Sequence, residues 1–260
     1  MNILVLLKMV PDVVEELEVA PDGKSLDLEF LRLVVNESDE HALEEALLLK
    51  ERHGGKVTAL ALDSPDIDDV LFTALAKGAD RAVKVTDVDE GLSTWSAAAL
   101  LAQVLPTVPD LLPADLILTG CQANDDLDGQ AAPLLAHRLD LPYLGIVTGV
   151  AWETESAGTC TAVKECGGGV RGEFDLTVPA LLGIQGAEKP PRYVPVAKVR
   201  AAMKSGEIET VSASVGSETP RVEVLSMTKP EVGERAEMIE GSPEEVAEKL
   251  CEILSARGVL

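Results

Sequence analysis

Four short apolar runs, each paired with a helix-like stretch, constrain this chain more than any other feature. They are NILVLLK at residues 2–8, KVTALAL at 56–62, RAVKV at 81–85 and ADLILTG at 114–120. A run that is apolar throughout, without alternation, suits a strand covered on both faces. Between the runs lie NESDEHALEEALLLKERHGG, SPDIDDVLFTALAKGAD and LSTWSAAALLAQVL, which carry helical spacing. In the first helix, acids fill the first turn, bases fill the last, and Gly54-Gly55 ends it. That charge order suits the helix dipole. Ala42, Leu43, Ala46 and Leu47 form its expected buried stripe, and Glu44-Glu45 reads as a solvated face. Strand–helix alternation predicts an α/β fold with a doubly wound parallel sheet. Right-handed crossovers then gather the loops after each strand along one edge, where such sheets hold ligands.

Composition narrows the function classes. The chain has 260 residues and is 46% hydrophobic, so it can build a large core, but aromatics are only 3%. A base-stacking surface for single-stranded nucleic acid is not expected. The formal charge of −23 argues against a basic face for phosphate backbones or anionic lipid. No apolar segment is long enough to span a bilayer, so no direct membrane insertion is expected. The opening MNILVLLKMVPD lacks a basic leader and a cleavage site, and reads as a first strand. Cys121, Cys160, Cys166 and Cys251 form no CxxC pair, and the three histidines are scattered. Reduced thiols in a cytoplasmic protein, with no metal site, are the expectation.

The rest of the chain is more mixed. LEVAPDGKSLDLEF (17–30) reads as a hairpin turning at Pro21–Lys24. After residue 145, VTGVAWETE, TCTAVKECGGGVRGEFDLTV and PALLGIQ predict a small antiparallel subsheet that returns into the main sheet. The GGG at 167–169 reads as a turn. Residues 189–209 are proline-broken, then helical, and VSASVGSETPRVEV reads as a linker into one more short strand. Within 189–204, Lys189, Arg192, Lys198, Arg200 and Lys204 stand without an acid, as a local basic island or simply a solvated helix face. At the end, Ser242 and Glu245 fit a capping box with Pro243 at the first helical position. Val246, Leu250, Ile253 and Leu254 give that helix an apolar face that must dock on this chain or on a partner. The expected division is an α/β domain over 1–215 and a linker with a C-terminal helical arm over 216–260.

The loop GCQANDDLDGQAAP (120–133) stands at the end of a strand and the start of a helix, where α/β proteins often hold phosphate. Two readings stay open from the residues alone. Asp125, Asp126 or Asp128 caps the helix, or Gly120 admits a ligand and Gly129, Gln130 and Ala131 present backbone N–H groups to it. In the second case the aspartates must be turned away or neutralised, because unit charges 4 Å apart repel by about 4 kcal/mol at an effective dielectric near 20. GxGxxG and GxxxxGK[ST] motifs are absent, and no Ser/His/Asp or Cys/His set stands out. No catalytic side chain is proposed.

Taken in order, several stretches resemble the beta subunit of the electron transfer flavoprotein family. ILVLLKMVPD resembles its opening strand, and NESDEHALEEALLLKE its Asn-Pro-x-Asp/Cys-Glu-x-Ala-x-Glu-Glu-Ala helix. TALAKGADRAVKV resembles the approach to its third strand, and GCQANDDLDGQAAP aligns with Gly-Lys-Gln-Ala-x-Asp. PPRYVPVAKVRAAMK resembles its Pro-Arg-Tyr segment, and SPEEVAEKLCEILSARGVL its C-terminal arm. The resemblance implies a Rossmann-like, adenine-nucleotide-binding sheet and a heterodimer with an alpha subunit. It implies one FAD on the alpha subunit, and AMP or a second FAD on this chain. Electrons would come from NADH or flavin dehydrogenases and pass to a quinone reductase or similar acceptor, with bifurcation in two-flavin members. By position, the family's nucleotide site falls on Leu6, Asn36, Glu37, Ser38, Asp39 and Leu62, then Gly120, Cys121, Gln122, Ala123, Asp125, Asp128, Gly129, Gln130 and Ala131. Its partner-binding segment falls on 189–209, with Val196 as apolar anchor beside Arg192, Lys198 and Arg200.

The chain departs from the family pattern in places. Cys121 replaces a Lys, Asp128 a Thr, Gly167 and Gly168 acids, and Gly183 a small polar residue or Ala. AMP-type members carry Asn-Gln-Thr at Gly129-Gln130-Ala131, whereas Gln130 and Pro133 fit the two-flavin pattern. Other readings are a nucleotide-sensing module of similar fold, and an ATP-cleaving enzyme, whose usual Ser-Gly-Gly loop is replaced here by Lys8–Asp12.

Overall fold

A computed structural model of the chain describes residues 1–88, 91–126, 129–152, 158–213, 223–230, 233 and 236–259. The chain runs through β1 (Asn2–Leu7), β2 (Met9–Pro11), β3 (Leu33–Val35), α1 (Glu37–His53), β4 (Lys56–Leu62) and α2 (Ile67–Lys77). It continues through β5 (Arg81–Thr86), α3 (Thr94–Val104), β6 (Leu116–Gly120), α4 (Ala131–Arg138) and β7 (Tyr143–Trp152). β8 (Thr159–Glu165), β9 (Arg171–Thr177), β10 (Ala180–Ile184), α5 (Val196–Ser205), β11 (Ile208–Ser212) and α6 (Pro243–Ala256) follow.

The main sheet has nine strands in the order β11-β5-β4-β1-β6-β10-β7-β8-β9. The pairs from β11 to β7 are parallel, and β8 and β9 add antiparallel ladders at one edge. The alternation of strand and helix therefore gives the expected doubly wound α/β fold. In β1, Ile3, Val5 and Leu7 enter the core beneath α1 and α2, while Leu4 enters the core beneath α3 and α4. This is why NILVLL lacks polar alternation: both faces are covered. Each such side chain contributes roughly 1.5–3 kcal/mol on burial.

One topological feature positions the site. From β1 the chain winds outward through β4 to β5, then crosses back to add β6 on the other side of β1. Winding reverses between β1 and β6, and the strand ends at Leu7 and Gly120 flank the crevice. Such switch points are where open α/β sheets take ligands.

Several local expectations need correcting. The segment 17–30 forms the predicted turn but only an isolated bridge, Val19 to Leu26; the paired antiparallel strands are β2 and β3. Residues 208–212, read as the end of a helical segment and its linker, form β11 parallel to β5. Ile208 and Val211 pack there, and Glu209 binds the guanidinium of Arg81. The short strand expected at VEV is not found at residues 223–224, and Arg221 and Val222 lie outside the described residues. Glu44 and Glu45 are not solvated; both are buried. The C-terminal helix carries its capping box, Ser242 with Glu245, and has no buried residue. No helix among the described residues is long and apolar enough to cross a membrane.

Candidate functional site

The N-terminus of α1 closes the crevice. Asp39, 5% exposed, accepts the backbone N–H of Lys8 at 2.9 Å and that of Gly120 at 2.7 Å. One carboxylate thus ties the C-terminal end of β6 to the residue that follows β1. Beside it, the Asn36 amide donates to Ser38 Oγ and to the Gln122 carbonyl, both at 3.0 Å. The Ser38 hydroxyl donates to the same carbonyl at 2.7 Å. Asn36 is therefore turned to the loop and not used as a side-chain cap of its own helix. Burial pushes the Asp39 carboxyl up to about 7, against the opposing pull of the N–H groups of Gly120 and Lys8 and the Asn36 amide.

Gly120 is required by this closure. A Cβ there would lie 2.3 Å from Ser38 Oγ, 2.5 Å from Asp39 Oδ1 and 2.9 Å from Asn36 Nδ2. The position a Cβ would take at Gly120 is filled by the chain's own polar side chains. Of the predicted site residues, Asn36, Ser38, Asp39, Gly120 and Gln122 meet directly. Glu37 points to solvent.

Asp125 and Asp126 are held, but they do not cap. α4 begins after Gln130, whose side chain makes no cap hydrogen bond. Asp125 binds the Lys8 ammonium at 2.6 Å, and Asp126 accepts the Thr94 hydroxyl at 2.6 Å from the start of α3. The capping reading is thus wrong for Asp125 and Asp126; Asp128 lies outside the described residues. Asn124 donates to the Pro11 carbonyl at 3.0 Å, so the loop is lashed to the chain after β1. Ala123 is buried, while Gln130 and Ala131 are exposed at the start of α4. Lys8, Asn124 and Thr94 were not singled out from sequence; a cation directly after an apolar strand was the available signal for Lys8.

Leu6 and Leu62 stand near the same strand ends, half-buried, on the face covered by α3 and α4. Cys121 follows Gly120 and donates its N–H to the Ile184 carbonyl at 2.8 Å. Burial raises its thiol pKa, and the negative charge of Asp39 adds to the effect. Beyond it, the Tyr143 hydroxyl lies over β10, where a Cβ on Gly183 would meet Tyr143 Oη at 3.0 Å and Cys121 Cα at 3.3 Å. Gly183 thus accommodates a tyrosine tip, a neighbour no local spacing announces. None of the four cysteines is in a disulfide. Among the described residues, no group of three or more His, Cys, Asp or Glu could hold a metal ion.

The proposed partner segment divides in two. The Arg192 guanidinium binds buried Glu44 at 2.8 Å and Glu51 at 2.5 Å, and its backbone N–H donates to Glu44 at 2.9 Å. These carboxylates hold its pKa above the usual guanidinium value. Next to them, Glu45 accepts the N–H groups of Val150 and Glu188, both at 3.0 Å, and burial raises its pKa. The acids of α1 therefore grip the segment leading into α5, and the charge of Arg192 is committed within the chain. Val196, Lys198 and Arg200 are exposed on α5, beside Tyr193 at 84% exposure.

Residues 29–215 match the family profile described as "Electron transfer flavoprotein domain". The chain is 32% identical to "Electron transfer flavoprotein subunit beta" of Methylophilus methylotrophus, over 98% of both chains. It is 31% identical to the protein of that name from Bacillus subtilis (strain 168), over 98% of this chain and 97% of the other. The counterpart from Syntrophomonas wolfei is 30% identical over 97% and 95%. With its winding reversal, its loop after β6 and these relatives matched along nearly its whole length, the chain belongs to the electron transfer flavoprotein beta-subunit family.

Proposed function

We propose that this chain works as the beta subunit of an electron-transferring heterodimer and holds an adenine nucleotide at the crevice between β1 and β6. The observation that carries this reading is how Asp125 and Asp126 are paired. Asp125 is neutralised by Lys8 and Asp126 is hydrogen-bonded to Thr94, so neither charge stands free at the start of α4. That start, at Gln130 and Ala131, is then available to a phosphate through backbone N–H groups and the helix dipole. Leu6 and Leu62 would offer apolar surface to the base. Asp39, Asn36 and Ser38 act indirectly, by fixing the loop that carries these donors.

A flavin, when bound, supplies the redox chemistry; the protein supplies position and electrostatics. No side chain is assigned as acid, base or nucleophile. The alpha subunit would hold one FAD, and Gln130 with Pro133 favours a second FAD over AMP on this chain. Electrons would arrive from NADH or a flavin dehydrogenase and leave to a quinone reductase or similar partner. Val196, Lys198 and Arg200 would meet such partners, a basic rim around an apolar anchor giving on-rate and specificity. The arm at 216–260 would dock on the alpha subunit through the apolar face of α6.

The test is to purify the chain with its alpha subunit, denature the complex and quantify FAD and AMP per heterodimer. Two FAD support the two-flavin reading. One FAD and one AMP keep the nucleotide site but overturn the assignment from Gln130 and Pro133. A complex with nucleotide on the alpha subunit alone overturns the site.

A further inference from the structure

The excursion between β2 and β3, residues 12–32, is a ribbon pinched at two places. The first pinch is the bond from Asp12 N to the Arg32 carbonyl at 2.9 Å, continuing the ladder of β2 and β3. The second is the bond from Asp27 N to the Glu18 carbonyl at 2.9 Å, followed by the Val19–Leu26 bridge. Between the pinches the two strands of the ribbon part. Large apolar side chains stand in solvent there: Val13 at 61% exposure, Val14 at 91%, Leu28 at 59% and Phe30 at 90%. Exposing Phe30 and Val14 so fully forgoes burial worth roughly 1.5–3 kcal/mol each, which suits a surface that is covered in an assembly.

The rim of this patch is mostly acidic, with Glu16 and Glu18 paired to Lys229 and the other acids without a cation partner among the described residues. Residues 12–18 and 27–32 carry Asp12, Glu15, Glu16, Glu18, Asp27 and Glu29 against the single base Arg32. The ribbon is also joined to the later chain. Met227 N donates to the Gly23 carbonyl at 2.7 Å, and Lys229 binds Glu18 at 2.6 Å and Glu16 at 3.4 Å. The stretch 223–230 that precedes α6 therefore runs along the ribbon. α6 itself leaves Leu250, Ile253 and Leu254 exposed at 46%, 42% and 37%. Two uncovered apolar surfaces are thus linked by one anchored segment.

We propose that the ribbon bulge, centred on Val14 and Phe30, is a docking surface for the alpha subunit, which presents an apolar socket with a basic rim. The inference rests on the heterodimer reading above and adds a second contact to the one expected of the arm. Charge complementarity selects the partner: a second copy of this chain, with formal charge −23 and the same acidic rim, would meet it with like charge.

The experiment compares the wild-type chain with the double variant Val14→Ser/Phe30→Ser, each titrated with the alpha subunit by calorimetry at two salt concentrations. Because both side chains stand in solvent, the variant should keep the wild-type circular dichroism and melting temperature. The expected result is a Kd weakened about tenfold or more. A separate variant, Glu29→Lys, should slow association and flatten its salt dependence. Equal Kd values for wild type and double variant would overturn the proposal while leaving the heterodimer intact. Failure of the wild type to bind any alpha subunit would overturn the heterodimer reading and this inference with it. Self-association of the wild type, lost in the double variant, would overturn it in favour of a second copy.

Discussion

Substituting Gly120 by Ala isolates the closure of the crevice. The added methyl would stand 2.5 Å from Asp39 Oδ1 and 2.3 Å from Ser38 Oγ, far inside van der Waals contact. None of the crowded groups is the free end of a long side chain. Asp39 is held by two backbone N–H groups, and Ser38 and Asn36 share the Gln122 carbonyl. Relief therefore means moving α1 or breaking the bond from Gly120 N to Asp39. Overpacking a dense site costs about 1–3 kcal/mol, and losing a hydrogen bond to a charged group costs about 1.5–3 kcal/mol. Either route costs at least about 1 kcal/mol and both together up to about 6 kcal/mol, a large share of a stability of roughly 5–15 kcal/mol. Urea unfolding of wild type and Gly120→Ala measures the difference. Gly167→Ala is the control, since a Cβ there meets nothing within 4 Å; it should stay within about 0.5 kcal/mol of wild type. A Gly120→Ala protein less than about 1 kcal/mol below wild type would refute the closure, because the reasoning allows no cheap escape for the methyl.

Asp39 gives a pH signature. Its carboxyl rises from 3.8 to about 7 on folding, so between those values the native state holds the extra proton. Its contribution is complete below pH 3.8, falls as pH rises through about 7, and is flat above that; the span is on the order of 4 kcal/mol. Unfolding at pH 5 and pH 8 should show wild type losing stability relative to Asp39→Asn, and an unchanged difference would show that Asp39 is not held as described. The Glu44–Arg192 pair predicts an asymmetry. Arg192→Ala leaves a buried carboxylate without its cation and should cost about 3 kcal/mol or more, whereas Glu44→Ala leaves Arg192 with Glu51 and solvent and should cost less. Denaturation midpoints of the two variants in the reverse order would contradict that assignment.

The sheet was legible because its central strands are apolar on both faces, and periodicity reports that directly. β1, β4, β5 and β6 needed nothing beyond their own residues. β11 was hidden because Ile208 to Ser212 has one apolar side and follows a basic helix, so its strand state depends on pairing with β5. Glu44 and Glu45 read as solvated because two adjacent acids on a helix usually are. Their burial comes from Val150 of β7 and from Glu188 and Arg192, more than a hundred positions away, whose backbone N–H groups reach α1 and supply the donors. The loop after β6 was recognised as special, but the close contact of its first glycine with the start of α1 was not. Gly120 answers to Asn36, Ser38 and Asp39, and a requirement set by another element leaves no local pattern.

The two edges of the nine-stranded sheet have a bearing on solubility at high expression. An edge strand offers unpaired N–H and C=O groups to any passing chain. β9 ends one side, and Arg171, Glu173 and Asp175 alternate along it. β11 ends the other, with Glu209 near its start and bound to Arg81 on the neighbouring strand. A strand from another copy would have to set its own side chains against these charges, at either end. Growth of the sheet into a fibre is thereby discouraged by the same residues that finish its ladders, and replacing Glu173 and Asp175 with Val would remove that protection from β9.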